Sequence, residues 1–330
     1  MDNEKIDFIV TWVDSNDIKW LKRLSDEAQK KKVIIDQERF RDWGLLKYWF
    51  RSVEQNAPWV NKIFLITEGH LPKWLNIDND KLIVVKHSEY ISNKYLPTFN
   101  SNVIELNFGN ISSLGEKFVL FNDDIFINAK TKPSDYFYKG IPKDVGIFSP
   151  IIAKEEGVST TVLNNVKIIN SYFNSRDVIK SNPSKWFSTK YGKHLLKNVI
   201  VLPWKDILGF YDSHLAISYD KKLYKNVINE TINKDLVFRN SFRGASDVSH
   251  WLVRYWQLCL GDFTPRSSNF GKYYDIGSSL DDIKKDIKNS KHSIICLNDS
   301  NVNEGSFEKY KQILIDIFQS KYSKKSTFEK

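Results

Sequence analysis

The chain has 330 residues, 41% of them hydrophobic and 14% aromatic, with 49 basic against 40 acidic side chains and a net charge of +9. That length and composition support a sizeable buried core and exclude a disordered chain, a fibrous protein and a disulfide-stapled mini-protein. The moderate positive balance favours an anionic partner: nucleic acid, an anionic membrane surface or a phosphorylated substrate.

The opening MDNEKIDFIV begins acidic and passes straight into a strand pattern, without the basic and apolar regions of a secretion signal. Residues 6–13 (IDFIVTWV) form a β-branched and aromatic run, which predicts a strand buried on both faces of a parallel sheet. Between residues 40 and 53, Trp43, Leu46, Phe50 and Val53 recur at intervals of three and four, predicting a helix that Pro58 closes. Further strands are predicted at 63–67 (IFLIT), 82–85 (LIVV) and 118–121 (FVLF). A helix between the first two strands makes this an α/β protein, Rossmann-like, with a mainly parallel sheet.

Beyond Pro150 the pattern loosens, so residues 1–150 read as an α/β half and 151–330 as a helix-rich half completing the same catalytic unit. Within that second half, residues 199–202 are expected to form a strand. Residues 247–260 are expected to form an aromatic-rich helix beneath the site, with Trp251, Tyr255 and Leu258 on one face. Phe307, Tyr310, Leu314 and Ile317 predict a last amphipathic helix, followed by the basic tail KYSKKSTFEK. Cys259 and Cys296 lack CxxC spacing and read as buried reduced thiols, which suits a reducing cytoplasm. No stretch approaches the roughly 18 apolar residues of a membrane-spanning helix, so membrane contact is expected to be peripheral.

Ligands of open parallel α/β sheets bind at the carboxyl ends of the strands. Those ends carry Thr11, Trp12 and Asp14 on the first strand, Thr67, Glu68 and Gly69 on the second, and Asn122, Asp123 and Asp124 after FVLF. Adjacent carboxylates in FNDD, set between the apolar runs FVLF and IFI, can bind Mg²⁺ or Mn²⁺ beside a diphosphate. The same residues equally suit a turn. His214, in YDSHLAISYD, is either structural or a base able to take a proton from an acceptor hydroxyl near neutral pH. Arg243 and Asp247, in FRGASDVSH, offer a phosphate clamp and a second carboxylate, or else a surface ion pair and a helix N-cap. His70, His87 and His250 show no ligand spacing and do not point to zinc. No GxGxxG, GxxxxGK[ST] or GxSxG motif occurs, which argues against dinucleotide oxidoreductases, P-loop kinases and α/β-hydrolases. Lys and Arg are dispersed, and the Arg39–Arg51 stretch fits an amphipathic helix, so nucleic-acid binding is not expected.

Four blocks taken together resemble the Stealth proteins, hexose-1-phosphate transferases of microbial capsule synthesis and their eukaryotic lysosomal-enzyme-tagging relatives. They are IDFIVTWVDSND, the long stretch from RFRDWGLLKYWFRSVEQNAPWV through YLPTFNSNVIELNF to FVLFNDDIFI, then SHLAISYDKKLY with FRGASDVSHWLVRYW, and finally ICLNDS. The chain departs from the family's usual pattern in TEGH, where Gln commonly replaces His70, and in SHLAIS, where a proline often follows the histidine.

The resemblance implies a glycosyltransferase-A-like fold and transfer of sugar-1-phosphate from a UDP-sugar to an acceptor hydroxyl, with a phosphodiester formed and UMP released. It assigns Thr11, Trp12, Val13 and Asp14 to the nucleotide pocket and Arg51 to its support or to a phosphate contact, beside the strand-end residues Thr67, Gly69 and Asn122. Asp123 or Asp124, with Asn298 and Asp299, would hold Mg²⁺ or Mn²⁺. His214 would be the base, Asp247 its alternative and Arg243 the phosphate clamp. The expected acceptor is a lipid-linked oligosaccharide of bacterial capsule or cell-surface polysaccharide, met at the inner face of the cell membrane by Lys-rich patches. A conventional glycosyltransferase releasing UDP would use the same fold and acids.

Overall fold

A computed structural model describes residues 5–35, 40–152, 158–300 and 302–330. Arg39, where the second block of the resemblance opens, lies outside the described residues. Among the described residues, eleven strands fall in three sheets: β1 (Asp7–Thr11), β2 (Ile63–Thr67), β3 (Leu82–Lys86), β4 (Lys117–Phe121), β5 (Ile125–Ile127), β6 (Phe137–Tyr138), β7 (Ile141–Asp144), β8 (Ile217–Asp220), β9 (Thr264–Pro265), β10 (Gly271–Asp275) and β11 (Ile294–Asn298).

The central sheet has the order β3-β2-β1-β4-β8. Its first four strands run parallel and β8 antiparallel, an arrangement consistent with a glycosyltransferase-A-like α/β fold. Ile9, Val10, Phe64, Leu65, Val119 and Phe121 are all buried, which is why these strands read as continuous apolar runs rather than alternating ones. The helix Leu46–Asn56 joins β1 to β2 and buries Leu46, Trp49, Phe50 and Val53 against one face of the sheet. It is shorter than the predicted 40–53 span, because Asp42 accepts the Gly44 amide and folds residues 40–45 into a turn with Gly44 at φ 67°.

A second sheet, β10-β11-β5, stands beside the first. β11 pairs antiparallel with β5, and the Leu297 amide donates to the Asp124 carbonyl at 2.8 Å. That pairing draws the CLND segment against FNDD at the point where the chain leaves one sheet for the other.

β8 adds an antiparallel edge strand to the central sheet, and both large core clusters mix residues from either side of position 150. Two predicted elements of the second half differ. Residues 195–200 form a helix and 201–203 a turn, not a strand, because Asn198 turns inward to donate to the Gly146 and Trp186 carbonyls while Val199 and Ile200 stay exposed. The aromatic-rich helix begins at Trp251, not Asp247, and runs to Leu260. The basic tail after helix Glu304–Lys321 is packed: Phe328 is buried against Phe50, and Glu329 bridges to Leu75.

Candidate active site

The carboxyl ends of β1, β4 and β11 open into one cavity of about 490 Å³. Thr11, Trp12, Val13, Asn122, Asp123, Asp124, His214, Arg243, Asn298 and Asp299 all line it, drawn from segments far apart in the chain. Its walls are strongly aromatic, with Trp12, Trp20, Phe40, Trp43 and Phe99, surfaces on which a base or sugar ring can stack.

The polar atoms of this cavity are under-satisfied. Trp12 Nε1, Trp43 Nε1, Glu68 Oε2, His70 Nδ1, His87 Nδ1 and Asp124 Oδ1 are buried and lack a hydrogen-bond partner, and all six residues line the cavity. Buried polar groups in native proteins are nearly always paired, so the cavity wall holds unused bonding capacity.

The carboxylates have displaced pKa values. Burial by the cavity walls, then the neighbouring charges of Asp124 and Asp42, pushes Asp123 up to about 8. Its carboxyl reaches the water of the cavity, which screens part of that push. Burial also raises Asp124, countered by His214 and by the Cys296 thiol, whose Sγ donates to Asp124 Oδ2 at 3.4 Å. His214 Nε2 lies 3.9 Å from the same oxygen. The His214 backbone is held at φ 47°, a left-handed conformation that a non-glycine residue keeps only where the surroundings impose it. The rings of Trp251 and Tyr273 meet the imidazole edge-on at 5.8 and 5.9 Å, fixing its plane.

Arg243 donates to Ser101 Oγ at 2.8 Å. Its loop is held by Asp247, which is fully buried and accepts from Asn100 Nδ2 at 2.8 Å, Asn102 Nδ2 at 3.1 Å, Asn240 Nδ2 at 3.0 Å and the Gly244 amide at 3.1 Å. Asp247 is therefore not a base: its lone pairs are occupied and it does not reach the cavity. It positions Arg243 instead.

Other expected contacts also fall behind the wall. Thr67 is buried and uses Oγ1 to donate to the His70 carbonyl and to accept the Gly69 amide, so Thr67 and Gly69 shape the turn that presents His70. The Asp14 amide donates to His70 Nε2 at 3.0 Å, and Asp14 Oδ1 caps its own turn by accepting from Asn16. Burial lowers the His70 pKa, and a neutral ring accepting at Nε2 carries its proton on Nδ1, which has no hydrogen bond and lies 3.9 Å from Asp17 Oδ2.

Arg51 is not a phosphate contact. Its guanidinium is buried and forks onto Glu329 through two 2.7 Å bonds, with a third to the Tyr322 carbonyl, so it clamps the carboxyl-terminal tail to helix Leu46–Asn56.

Two acids of the cavity wall, Asp42 and Glu105, escaped the sequence reading. Glu105 lines the cavity from helix Ser101–Leu106, and burial, with the charge of Asp124, raises it to about 7. His250 Nε2 is 3.7 Å away, but burial pulls that imidazole down to about 3, so the ring that Glu105 meets there is neutral. The signal lay in NSNVIEL, an acid between two apolar residues, which position alone does not separate from a helix-surface glutamate.

Residues 39–144 match the family model of Stealth protein CR2, conserved region 2. A capsular polysaccharide phosphotransferase WcwK of Streptococcus pneumoniae is 50% identical over 99% of this chain and 98% of that protein. The exopolysaccharide phosphotransferase cps2G of Lactiplantibacillus plantarum is 40% identical over 98% and 96%, and the receptor polysaccharide phosphotransferase WefC of Streptococcus gordonii is 35% identical over 96% of each chain. Among solved structures, the glycosyltransferase GlyE of Streptococcus pneumoniae TIGR4 aligns with 97% of this chain and 64% of its own at 9% identity and a TM-score of 0.38, too slight a likeness to bear on function. Sharing up to half its residues with such enzymes along nearly its whole length, the chain belongs to the Stealth family of polysaccharide phosphotransferases, transferases acting on sugar phosphate.

Proposed function

We propose that this transferase moves hexose-1-phosphate from a UDP-sugar to a hydroxyl of a lipid-linked glycan in bacterial capsule or cell-surface polysaccharide synthesis, releasing UMP. The observation that carries this reading is the convergence of Asp123, Asp124, His214, Arg243, Asn298 and Asp299 on one aromatic-walled cavity. A sugar diphosphate needs such a mixture: rings to stack on, cations for phosphate oxygens, and a proton acceptor.

His214 Nε2 takes the proton of the acceptor hydroxyl, and the resulting imidazolium is stabilised by the Asp124 carboxylate 3.9 Å away. The hydroxyl oxygen attacks the β-phosphorus that bears the sugar. The bridging P–O bond to the α-phosphate breaks, and the nucleoside monophosphate departs. Arg243, held by the Asp247 network, faces the charge that gathers on the phosphoryl oxygens.

The residues suit a hard divalent cation such as Mg²⁺ or Mn²⁺. Asp124 Oδ1 is a buried acceptor without a hydrogen-bond partner, and Asp123, Asn298 and Asp299 offer further oxygens on the same cavity wall. When bound, the ion supplies charge neutralisation on the diphosphate.

Membrane contact is supported by a surface feature. Leu196, Val199, Ile200, Leu202 and Trp204 are exposed within nine residues, flanked by Lys193, Lys197 and Lys205. Apolar anchors ringed by lysine suit the interface of an anionic bilayer. No helix among the described residues is long and apolar enough to cross one.

The deciding experiment is product analysis with Mg²⁺, a UDP-N-acetylhexosamine and a lipid-linked acceptor. UMP with a new phosphodiester is expected. Release of UDP would instead assign a conventional glycosyltransferase.

A further inference from the structure

One cluster at the cavity wall mixes nitrogen, sulfur and oxygen donors. Asp124, His214 and Cys296 each offer one ligand atom, and the three atoms lie within 4.8 Å of one another. Two of the separations are close to those of a bound ion: Cys296 Sγ to Asp124 Oδ2 is 3.4 Å and Asp124 Oδ2 to His214 Nε2 is 3.9 Å. Tetrahedral Zn²⁺, with bonds of about 2.0–2.3 Å, sets its donor atoms about 3.3–3.7 Å apart.

The three donors are held from independent directions. Cys296 is fully buried in β11, Asp124 is fixed by the carbonyl bond its backbone makes to Leu297, and His214 is set by its left-handed backbone and its two edge-on aromatic neighbours. Asp124 and His214 open to the cavity, which gives an ion an entry and leaves a fourth position for water. A thiolate, an imidazole and a single carboxylate select soft or borderline ions of the zinc and cobalt type over Mg²⁺.

We propose that Asp124, His214 and Cys296 form a site for Zn²⁺ distinct in chemistry from the oxygen donors beside it, and that its occupation switches the transferase off. Binding releases the Cys296 thiol proton to solvent and engages His214 through a ring nitrogen. Zn²⁺ and substrate proton then compete for the same imidazole, and Zn²⁺ and the hard cation for the same carboxylate. The inhibitory consequence rests on His214 as the base; the existence of the site does not.

The test separates the two. Metal-free full-length protein is titrated with Co²⁺, and one equivalent is expected to give tetrahedral d–d bands with a thiolate-to-cobalt charge-transfer band, both displaced by Zn²⁺. Cys296→Ser is expected to lose the charge-transfer band and Cys259→Ser to keep it. Should Cys296→Ser fail to fold, X-ray absorption at the zinc edge of the wild-type protein reads the same bond directly, with one sulfur at about 2.3 Å expected. A first shell without sulfur, or a cobalt spectrum without the charge-transfer band, overturns the site. In the Mg²⁺-supported transfer assay, one equivalent of Zn²⁺ is expected to cut the rate at least tenfold and a chelator with added Mg²⁺ to restore it. Sulfur ligation without inhibition leaves the site standing and overturns the switch.

Discussion

Asp124 Oδ2 and His214 Nε2 lie 3.9 Å apart at the cavity, the first delivered by the break between β4 and β5 and the second by a strained loop before β8. β8 pairs antiparallel with β4, so the register Leu120↔Ile217 places the two residues beside each other. If the pair works as base and counter-charge, His214→Ala lowers kcat by about 10²–10⁴-fold while leaving the fold intact, measured as the initial rate of UMP release beside a circular-dichroism melt. An unchanged rate would remove His214 from the chemistry.

Arg243 and Asp247 separate a direct contact from a supporting one. Arg243→Ala is expected to cost about 10²–10³-fold in kcat/KM, with Arg243→Lys recovering part of it. Asp247→Asn keeps a side chain of the same shape but turns an acceptor oxygen into a donor facing Asn100, Asn102 and the Gly244 amide. It is expected to lower both melting temperature and activity. A variant with normal stability and lost activity would return Asp247 to a catalytic role.

The buried acid Glu105 makes the metal-free protein sensitive to pH. Its pKa in the fold, about 7, is above the ordinary glutamate value, so the folded state holds the proton more tightly than the unfolded chain. The stability this provides is complete below the unfolded pKa and is lost as pH rises to about 7. Thermal melts between pH 4.5 and 8 should therefore fall with pH, and Glu105→Gln should flatten that part of the curve. Parallel curves for both proteins would show that Glu105 titrates normally.

Asp123, pushed up to about 8, must lose its proton before it can bind a cation. Apparent Mg²⁺ affinity should increase from pH 6 to pH 8 in calorimetric titrations, with proton release that Asp123→Asn abolishes. Binding that is strong and independent of pH would place the ion elsewhere.

Arg51 tests structure rather than chemistry. It is one half of a buried, doubly bonded pair with Glu329, and removing one partner of such a pair costs about 3–5 kcal/mol. Arg51→Ala should lower the melting temperature and loosen the tail, read by proteolysis after helix Glu304–Lys321, while KM for the nucleotide-sugar stays the same for the folded fraction. A raised KM with unchanged stability would restore its role as a phosphate contact.

The sequence by itself determined the parallel strands of the central sheet and the chemistry offered at their ends. IDFIVTWV, IFLIT and FVLF are apolar on both faces because both faces are covered, so period and composition suffice to find them. Local pattern also placed NDD at a strand end, where polar residues cannot continue an apolar run, whereas CLND entered only through the family resemblance. It misread residues 199–202, since a short apolar stretch suits a helix exposing Val199 and Ile200 as well as it suits a strand. Only the tertiary structure decided which polar groups face the cavity. Arg51 and Asp247 look in sequence like any charged residue of a site, yet partners at Glu329, Asn100 and Asn102, remote along the chain, absorb them into the framework. Glu105 and Cys296 look like helix and core residues, yet sheet pairing and burial carry one to the cavity wall and the other to within 3.4 Å of Asp124. A side chain's role depends on what the fold sets opposite it, and β4 meeting β8 and β5 meeting β11 are long-range events that no local pattern encodes.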